Sequence, residues 1–253
     1  MAAPNILLIM TDQHALHAVG CYGDTQCQTP NIDALAADGV RFTRAYTPTS
    51  LCSPARTSLL CGLLPHNHGV TYNADYMPFS VQQMGMNREL YSTHLAEQGY
   101  RLGWSGKWHV GLANLPQDIG FEGFSIPGYG DFWHCAEYDE FLAAQGIAKP
   151  RRVHEFAARP DVSDPDNKAV SGYFDGAAAA APSRLVADRA IELLERYAEE
   201  DEPFVLICNF WEPHAPYLPA AEFKDLYDPA AIEPWASFDD DLQDRPMGHR
   251  VQR

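Results

Sequence analysis

The order of its apolar patterns constrains this chain more than any other feature. Asn5 to Met10 is short, continuous and apolar, and reads as a fully buried strand ending at Thr11-Asp12. Far along the chain, Val186, Ala190, Leu193, Leu194 and Tyr197 mark one face of a helix beginning near Ser183. Pro203 and a strand from Phe204 to Phe210 follow it. Strands alternating with helices predict an α/β fold, with a mainly parallel sheet sandwiched by helices.

Local signals place further elements between these ends. Thr29-Pro30-Asn31 opens a helix, with Thr29 as cap, Pro30 at the first helical position and Gly39 just past the end. Val40 to Phe42 reads as a short strand, and Ser53 to Cys61 as a helix that Gly62 stops. Arg88 to Gln98 reads as a helix terminated by Gly99. Arg101 to Trp104 reads as a strand leading into Gly106-Lys107-Trp108-His109. From Gly120 to Pro182 the periodicity weakens. Arg159 to Pro182, rich in Asp, Ala, Gly and Pro, is expected to be a long loop or insertion. Asp239-Asp240-Asp241 falls in a polar, unpatterned stretch and reads as a solvated acidic run.

The chain's 253 residues suit one large domain or two small ones. No apolar run approaches the roughly 18 residues of a membrane span. With 34 acidic residues against 18 basic, the net charge is −16. That field repels nucleic acid and anionic lipid, so neither partner is expected, and an anionic substrate would need its own local cations. The six cysteines, Cys21, Cys27, Cys52, Cys61, Cys135 and Cys208, show no zinc spacing. The N-terminus lacks the charged and long apolar regions of a secretory signal, which favours a cytoplasmic location, although a leader already removed would leave no trace. Without such a signal a disulfide framework is not expected, and at least one cysteine is a candidate for chemistry.

That candidate is Cys52, in Leu51-Cys52-Ser53-Pro54-Ala55-Arg56. Pro54 suits the first turn of a helix, which places Cys52 at the helix N-terminus, where free N–H groups and the dipole favour an anion. Arg56, four residues on, falls one turn along the same face and puts a cation beneath the same site. A cysteine nucleophile of low pKa is one reading; a buried cysteine beside a surface arginine is the other.

The segment has company. Pro4 to Gln13, Thr29 to Asp33, Gly39 to Phe42, Pro65-His-Asn-His-Gly69, Gly106-Lys-Trp-His-Val-Gly111 and Pro213-His-Ala-Pro-Tyr217 occur with it in a characteristic order and approximate spacing. In these motifs the sequence resembles the formylglycine-dependent sulfatases of the alkaline-phosphatase-like superfamily, densely over residues 4–111 and more thinly over 183–223. The resemblance implies that a separate formylglycine-generating enzyme recognises Cys-x-Pro-x-Arg and oxidises Cys52 to an aldehyde that hydrates to a geminal diol. One hydroxyl would attack sulfur; the second would let the sulfated enzyme collapse and release sulfate. It implies a sulfate ester as substrate, either a small molecule or a glycan.

By the same resemblance Asp12 and the matured Cys52 are metal ligands, for calcium foremost, with magnesium or manganese as alternatives. Lys107 would hold sulfate oxygens, His109 would act as the base for collapse of the diol, and His214 would contact sulfate or assist the leaving oxygen. Gln13 stands where many sulfatases carry a second Asp; as a weaker ligand it is expected to contact substrate. In this it resembles the subset that includes choline sulfatases and phosphonate monoester hydrolases. Asn73 is a lesser candidate for substrate hydrogen bonding, and His66 and His68 read as structural.

Family members are considerably longer, and their remaining ligands and a second active-site lysine come from a later strand with no match here. Residues 1–253 are therefore expected to be the N-terminal part of a single catalytic domain, with an irregular insertion at about 120–182 and the C-terminal part missing. Three readings follow: a sulfatase with half its site, a phosphonate monoester or phosphodiester hydrolase, or a non-catalytic homologue. The chain alone is expected to be inactive or nearly so, and to associate through an uncovered sheet edge.

Overall fold

The computed structural model describes residues 3–23, 26–75, 89–157, 169–234 and 238–247. Its centre is a four-stranded sheet built from β1 (Ile6–Met10), β2 (Arg101–Gly106), β3 (Glu122–Phe124) and β6 (Phe204–Asn209). The strands run in the order β1-β6-β2-β3, and every neighbouring pair is parallel. The register pairs Met10 with Asn209 and Asn209 with Gly106, so three strands end level with one another.

Side chains on β6 alternate between two cores, as the pleat requires. Leu206 and Cys208 face one core with α6 (Pro182–Ala198), which contributes Leu185, Val186, Ala190, Leu193 and Tyr197. Val205 and Ile207 face the other, with Leu102 and Trp104 of β2, Leu60 of α2 (Cys52–Cys61), and Leu90 and Leu95 at α4 (Tyr91–Glu97). Each of these side chains stabilises the fold by roughly 1.5–3 kcal/mol when fully buried. Helices thus cover both faces of the parallel sheet at β6 and β2, as the alternating pattern anticipates, whereas β1, expected as a fully buried strand, leaves Ile6, Leu7 and Ile9 exposed.

Two glycines of β2 set how closely the layers approach. A Cβ on Gly103 would stand 2.8 Å from Leu206 Cδ1 and 2.9 Å from the Tyr197 hydroxyl, so its absence lets α6 lie against the strand. Gly106, at φ 104°, passes so near β6 that a Cβ would fall 1.9 Å from the Asn209 carbonyl oxygen. The remaining helices are α1 (Pro30–Asp38), the short α3 (Pro65–His68) and α5 (Ala136–Ala144). Thr29 precedes α1 as expected but caps no helix N–H. Its hydroxyl accepts from Gly20 N and donates to Asp33 Oδ1, tying the preceding turn to the helix.

Several expectations change. Val40 to Phe42 is not a strand: it has no ladder partner, Val40 is 83% exposed, and the Phe42 carbonyl accepts from the Tyr22 hydroxyl instead. Within 120–182 the chain is more regular than its composition suggests, forming β3, α5 and an antiparallel pair, β4 (Arg151–Ala157) with β5 (Ala169–Asp175). That hairpin was illegible because register shifts between His154 and Ala157 break strict alternation. Residues 158–168, and Arg88 at the expected start of α4, lie outside the described residues. All six cysteines are free thiols. No helix among the described residues is long and apolar enough to cross a membrane.

Replacing Gly106 by Ala combines a left-handed backbone with a clash against a strand carbonyl. We expect a loss of roughly 2–4 kcal/mol, read as a lower urea midpoint with an unchanged slope.

Candidate active site

Past their last residues the three level strand ends stay tied together. Phe210 N donates to Met10 O at 2.8 Å, Lys107 N donates to Asn209 O at 2.9 Å, and Asp12 N donates to Glu212 O at 3.3 Å. Asp12, Lys107 and the turn carrying His214 therefore meet at the carboxyl edge of the sheet, where ligands of parallel α/β folds gather.

Cys52 occupies the first position of α2, with Leu51 as N-cap in extended conformation. Leu51 offers no capping side chain. Asn73 takes that part from a distance, its Oδ1 accepting from Ser53 N at 3.1 Å, while Ser53 Oγ accepts from Ala74 N at 3.0 Å. Asn73 thus holds the helix start in place and also lines the cleft above it.

The centre of the site is a buried charge cluster. Asp12 Oδ2 lies 3.1 Å from Arg56 Nη2 and 2.5 Å from Lys107 Nζ, and Asp12 Oδ1 accepts from the Cys52 thiol at 3.5 Å. Arg56 also donates through Nη1 to Lys107 O, which Asn209 Nδ2 reaches as well. The Lys107 ammonium, fully buried, rests 4.1 Å from the centroid of the Tyr129 ring. Burial opposes ionisation of Asp12, but Lys107 and Arg56 outweigh it and hold its pKa below the ordinary carboxylate value. Burial lowers the pKa of Lys107 against the pull of Asp12. Burial also pushes the Cys52 thiol up, and the Asp12 carboxylate adds to this against Lys107. The low-pKa thiolate considered for Cys52 is therefore not what this environment favours.

His109, at φ 55°, pairs through Nε2 with Asp75 Oδ1 at 2.9 Å. Burial lowers its pKa, against the raising effect of Asp75, so the imidazole is neutral near pH 7. Its buried Nδ1 has no hydrogen-bond partner among the described residues. His214 Nδ1 lies 2.6 Å from Ala215 O and 3.0 Å from the Tyr129 hydroxyl. With Nδ1–H donated to the carbonyl, Nε2 keeps its lone pair.

Gln13, also at positive φ (58°), lines the same open cleft of ≈ 1160 Å³ as Asp12, Cys52, Arg56, Asn73 and His214. Lys107 and His109 stand behind it, both packed on Tyr129. His68 is structural: Nδ1 accepts from Val70 N and Nε2 meets Ser58 Oγ at 2.9 Å. His66 is exposed. In the acidic run, the Asp240 carboxylate is taken by Arg245 at 2.7 Å.

Two residues of the site went unforeseen. Tyr129 touches Lys107, His109 and His214 at once, yet lies in the weakly patterned stretch; its one signal is flanking glycines, Gly128 and Gly130, both at positive φ. Asp75, the partner of His109, carries no local signature at all.

Asp12, Cys52 and His214 have ligand atoms within 4.8 Å of one another. Calcium and magnesium prefer oxygen, and a thiol is too soft for either. Asp12 supplies such an oxygen, position 52 would do so only with oxygen in place of sulfur, and the His214 imidazole is a softer donor than either ion prefers.

Removing the charge from Asp12 leaves two buried cations facing each other without a counter-ion. Asp12→Asn is expected to cost roughly 3–5 kcal/mol, measured by thermal and urea unfolding.

The family model for Sulfatase matches residues 4–241. YidJ of Escherichia coli K12, named an uncharacterized sulfatase, is 30% identical over 253 residues, covering 99% of this chain and 46% of that protein. Human arylsulfatase A is 42% identical over 137 residues, 52% of this chain and 27% of that one. An N-acetylglucosamine-6-O-sulfatase of Bacteroides thetaiotaomicron is 29% identical, covering 98% and 38%. Among solved structures, the phosphonate monoester hydrolase of Agrobacterium radiobacter shares the fold with a TM-score of 0.67 at 23% identity, covering 92% of this chain and 45% of its own. BT4656, solved with its substrate D-glucosamine-2-N,6-O-disulfate, superposes with a TM-score of 0.60 at 25% identity, covering 94% and 40%. The chain spans about half or less of the length of these relatives. By its match to the family model and its identity to these relatives, it belongs to the sulfatase family.

Proposed function

We propose that this chain supplies the nucleophile and the anion-holding groups of a sulfuric ester hydrolase. The observation that carries this reading is Cys52 in the first turn of α2, facing Asp12, with Arg56 and Lys107 behind them. In a chain of net charge −16 these two buried cations are the local field a sulfate group requires.

A thiol whose pKa is raised is a poor nucleophile as it stands. Conversion of Cys52 to formylglycine by a maturation enzyme fits the site better: the hydrated aldehyde supplies one hydroxyl for attack on sulfur and a second for release of sulfate. Neutral His109, with Nδ1 unengaged, suits the base that removes that second proton, while Asp75 orients its ring. His214, fixed through Nδ1, lines the cleft and would assist the leaving ester oxygen as a proton donor once Nε2 also carries a proton. Asp12 and an oxygen at position 52 would hold a hard divalent cation, calcium foremost, with magnesium or manganese as alternatives, and Gln13 would contact the substrate. When bound, that ion lowers the pKa of a coordinated hydroxyl and offsets sulfate charge.

The substrate we propose is a sulfated sugar, on the names of the Bacteroides relative and of the substrate bound to BT4656. Gln13 keeps a phosphonate monoester hydrolase as the second reading, which relative turnover of aryl sulfate and aryl phosphonate separates.

Peptide mass spectrometry of the chain expressed with a formylglycine-generating enzyme tests the central claim. A loss of about 18 Da at residue 52 is expected; an unmodified cysteine there would count against the whole reading. The edge of β1 with its exposed Ile6, Leu7 and Ile9, together with exposed Ile32 and Leu35 of α1, also leads us to propose self-association. Sedimentation should show concentration-dependent oligomers, and a monodisperse monomer that melts cooperatively would refute this.

A further inference from the structure

On the other side of His214 a second cleft, of ≈ 410 Å³, runs between the 129–134 segment and the base of the β4–β5 hairpin. Its volume falls in the range of small-ligand sites. His214 lines both this cleft and the one around Cys52, and the Tyr129 hydroxyl meets it from the wall of this cleft, so a group leaving from Cys52 past His214 would enter here. Half-buried Trp133 lines the cleft, an aromatic surface of the kind on which the apolar face of a sugar ring rests.

Arg152 lines it too, half-buried, with its guanidinium carbon 5.8 Å from the Trp133 ring centroid. Neighbouring cations of this region each face a carboxylate: Arg151 faces Asp175, Lys149 faces Asp139, Arg184 faces Asp188 and Lys224 faces Asp225. Among the described residues Arg152 faces none. Two acids line the cleft: Asp131, engaged by His134 at 2.6 Å, and Glu212, whose pKa burial raises. Among the described residues, then, Arg152 puts a guanidinium on the cleft wall with no carboxylate beside it. Its planar fork matches a carboxylate or a sulfate with two hydrogen bonds.

We infer that this cleft binds a sugar ring bearing a second anionic group, a carboxylate or a further sulfate, which Arg152 recognises while the ring rests on Trp133. The identification of that ring as the leaving group rests on the sulfuric ester hydrolase reading; the binding itself does not. The substrate would then be a polyanionic glycan rather than a simple aryl or alkyl sulfate.

Calorimetric titration of the chain with methyl glucuronide, methyl glucoside 6-sulfate and neutral methyl glucoside tests this without requiring turnover. At least one anionic glycoside is expected to bind about tenfold more tightly than the neutral one, the worth of a charge-assisted pair. Arg152→Gln should bring them to parity, while Arg152→Lys, which keeps the charge, should retain part of the gap. The probe that shows the gap identifies the anion. Equal or undetectable binding of all three, or a gap that survives in Arg152→Gln, overturns the inference. Melting curves of both variants guard against loss of fold. An unconverted Cys52 in the mass-spectrometric test would sink the hydrolase reading and leave this result to stand or fall by itself.

Discussion

The ion cluster of Asp12 with Lys107 and Arg56 is the constraint around which the rest is arranged. Burying three charges costs several kcal/mol per ion, and the cost is offset only when geometry and hydrogen bonding are close to ideal. Here that geometry comes from four separate pieces of chain: the end of β1, the end of β2, the first turns of α2 and the turn after β6. The level register of β1, β6 and β2 brings Asp12 and Lys107 together, and Gly106 lets the Lys107 segment pass close enough to β6 for its backbone to pair with Asn209.

Around that cluster the sheet and the site share their supports. Ser53 donates its N–H to Asn73 Oδ1 and accepts from Ala74 N at Oγ, and the two bonds fasten the start of α2 over the strand ends, which fixes the direction from which Cys52 meets Asp12. Tyr129 then closes the back of the site. Its ring carries the Lys107 ammonium, its edge meets His109, and its hydroxyl meets His214. Burial, followed by the carboxylate of Asp12, raises the pKa of that hydroxyl, so it stays protonated and can serve as a donor. One side chain from an irregular segment thereby positions three groups drawn from two strand ends.

The same tyrosine separates two clefts of different character. On one side two cations share a single carboxylate, which leaves positive charge over, and the space is open around Cys52. On the other, an aromatic ring and an arginine with no carboxylate partner among the described residues face a smaller cleft. A reaction centre and a neighbouring recognition surface can differ in this way because they are built on different layers: strand ends for one, the 129–134 segment and the β4–β5 hairpin for the other.

By itself the sequence determined the parallel α/β class and the main strands and helices, because these depend on local pattern, and its motifs named most of the residues that the fold brings together at the strand ends. Apolar runs, a proline in the first turn of α2 and a glycine at its end act within a few residues, and Cys52 to Arg56 spans a single helical turn. Motifs after strands could likewise be placed at the sheet's edge, since parallel strands share one. Tertiary structure alone decided which polar groups face one another. Asp75 reaches His109 across 34 positions and Tyr129 reaches His214 across 85, and no short-range pattern encodes such pairings. It also decided that Val40 to Phe42 stays outside the sheet and that β4 pairs with β5, since a strand exists only where a neighbour offers a ladder. The Cys52 thiol illustrates the difference most directly. Its position at a helix N-terminus is written in the residues around it, whereas its raised pKa depends on burial and on a carboxylate forty residues away.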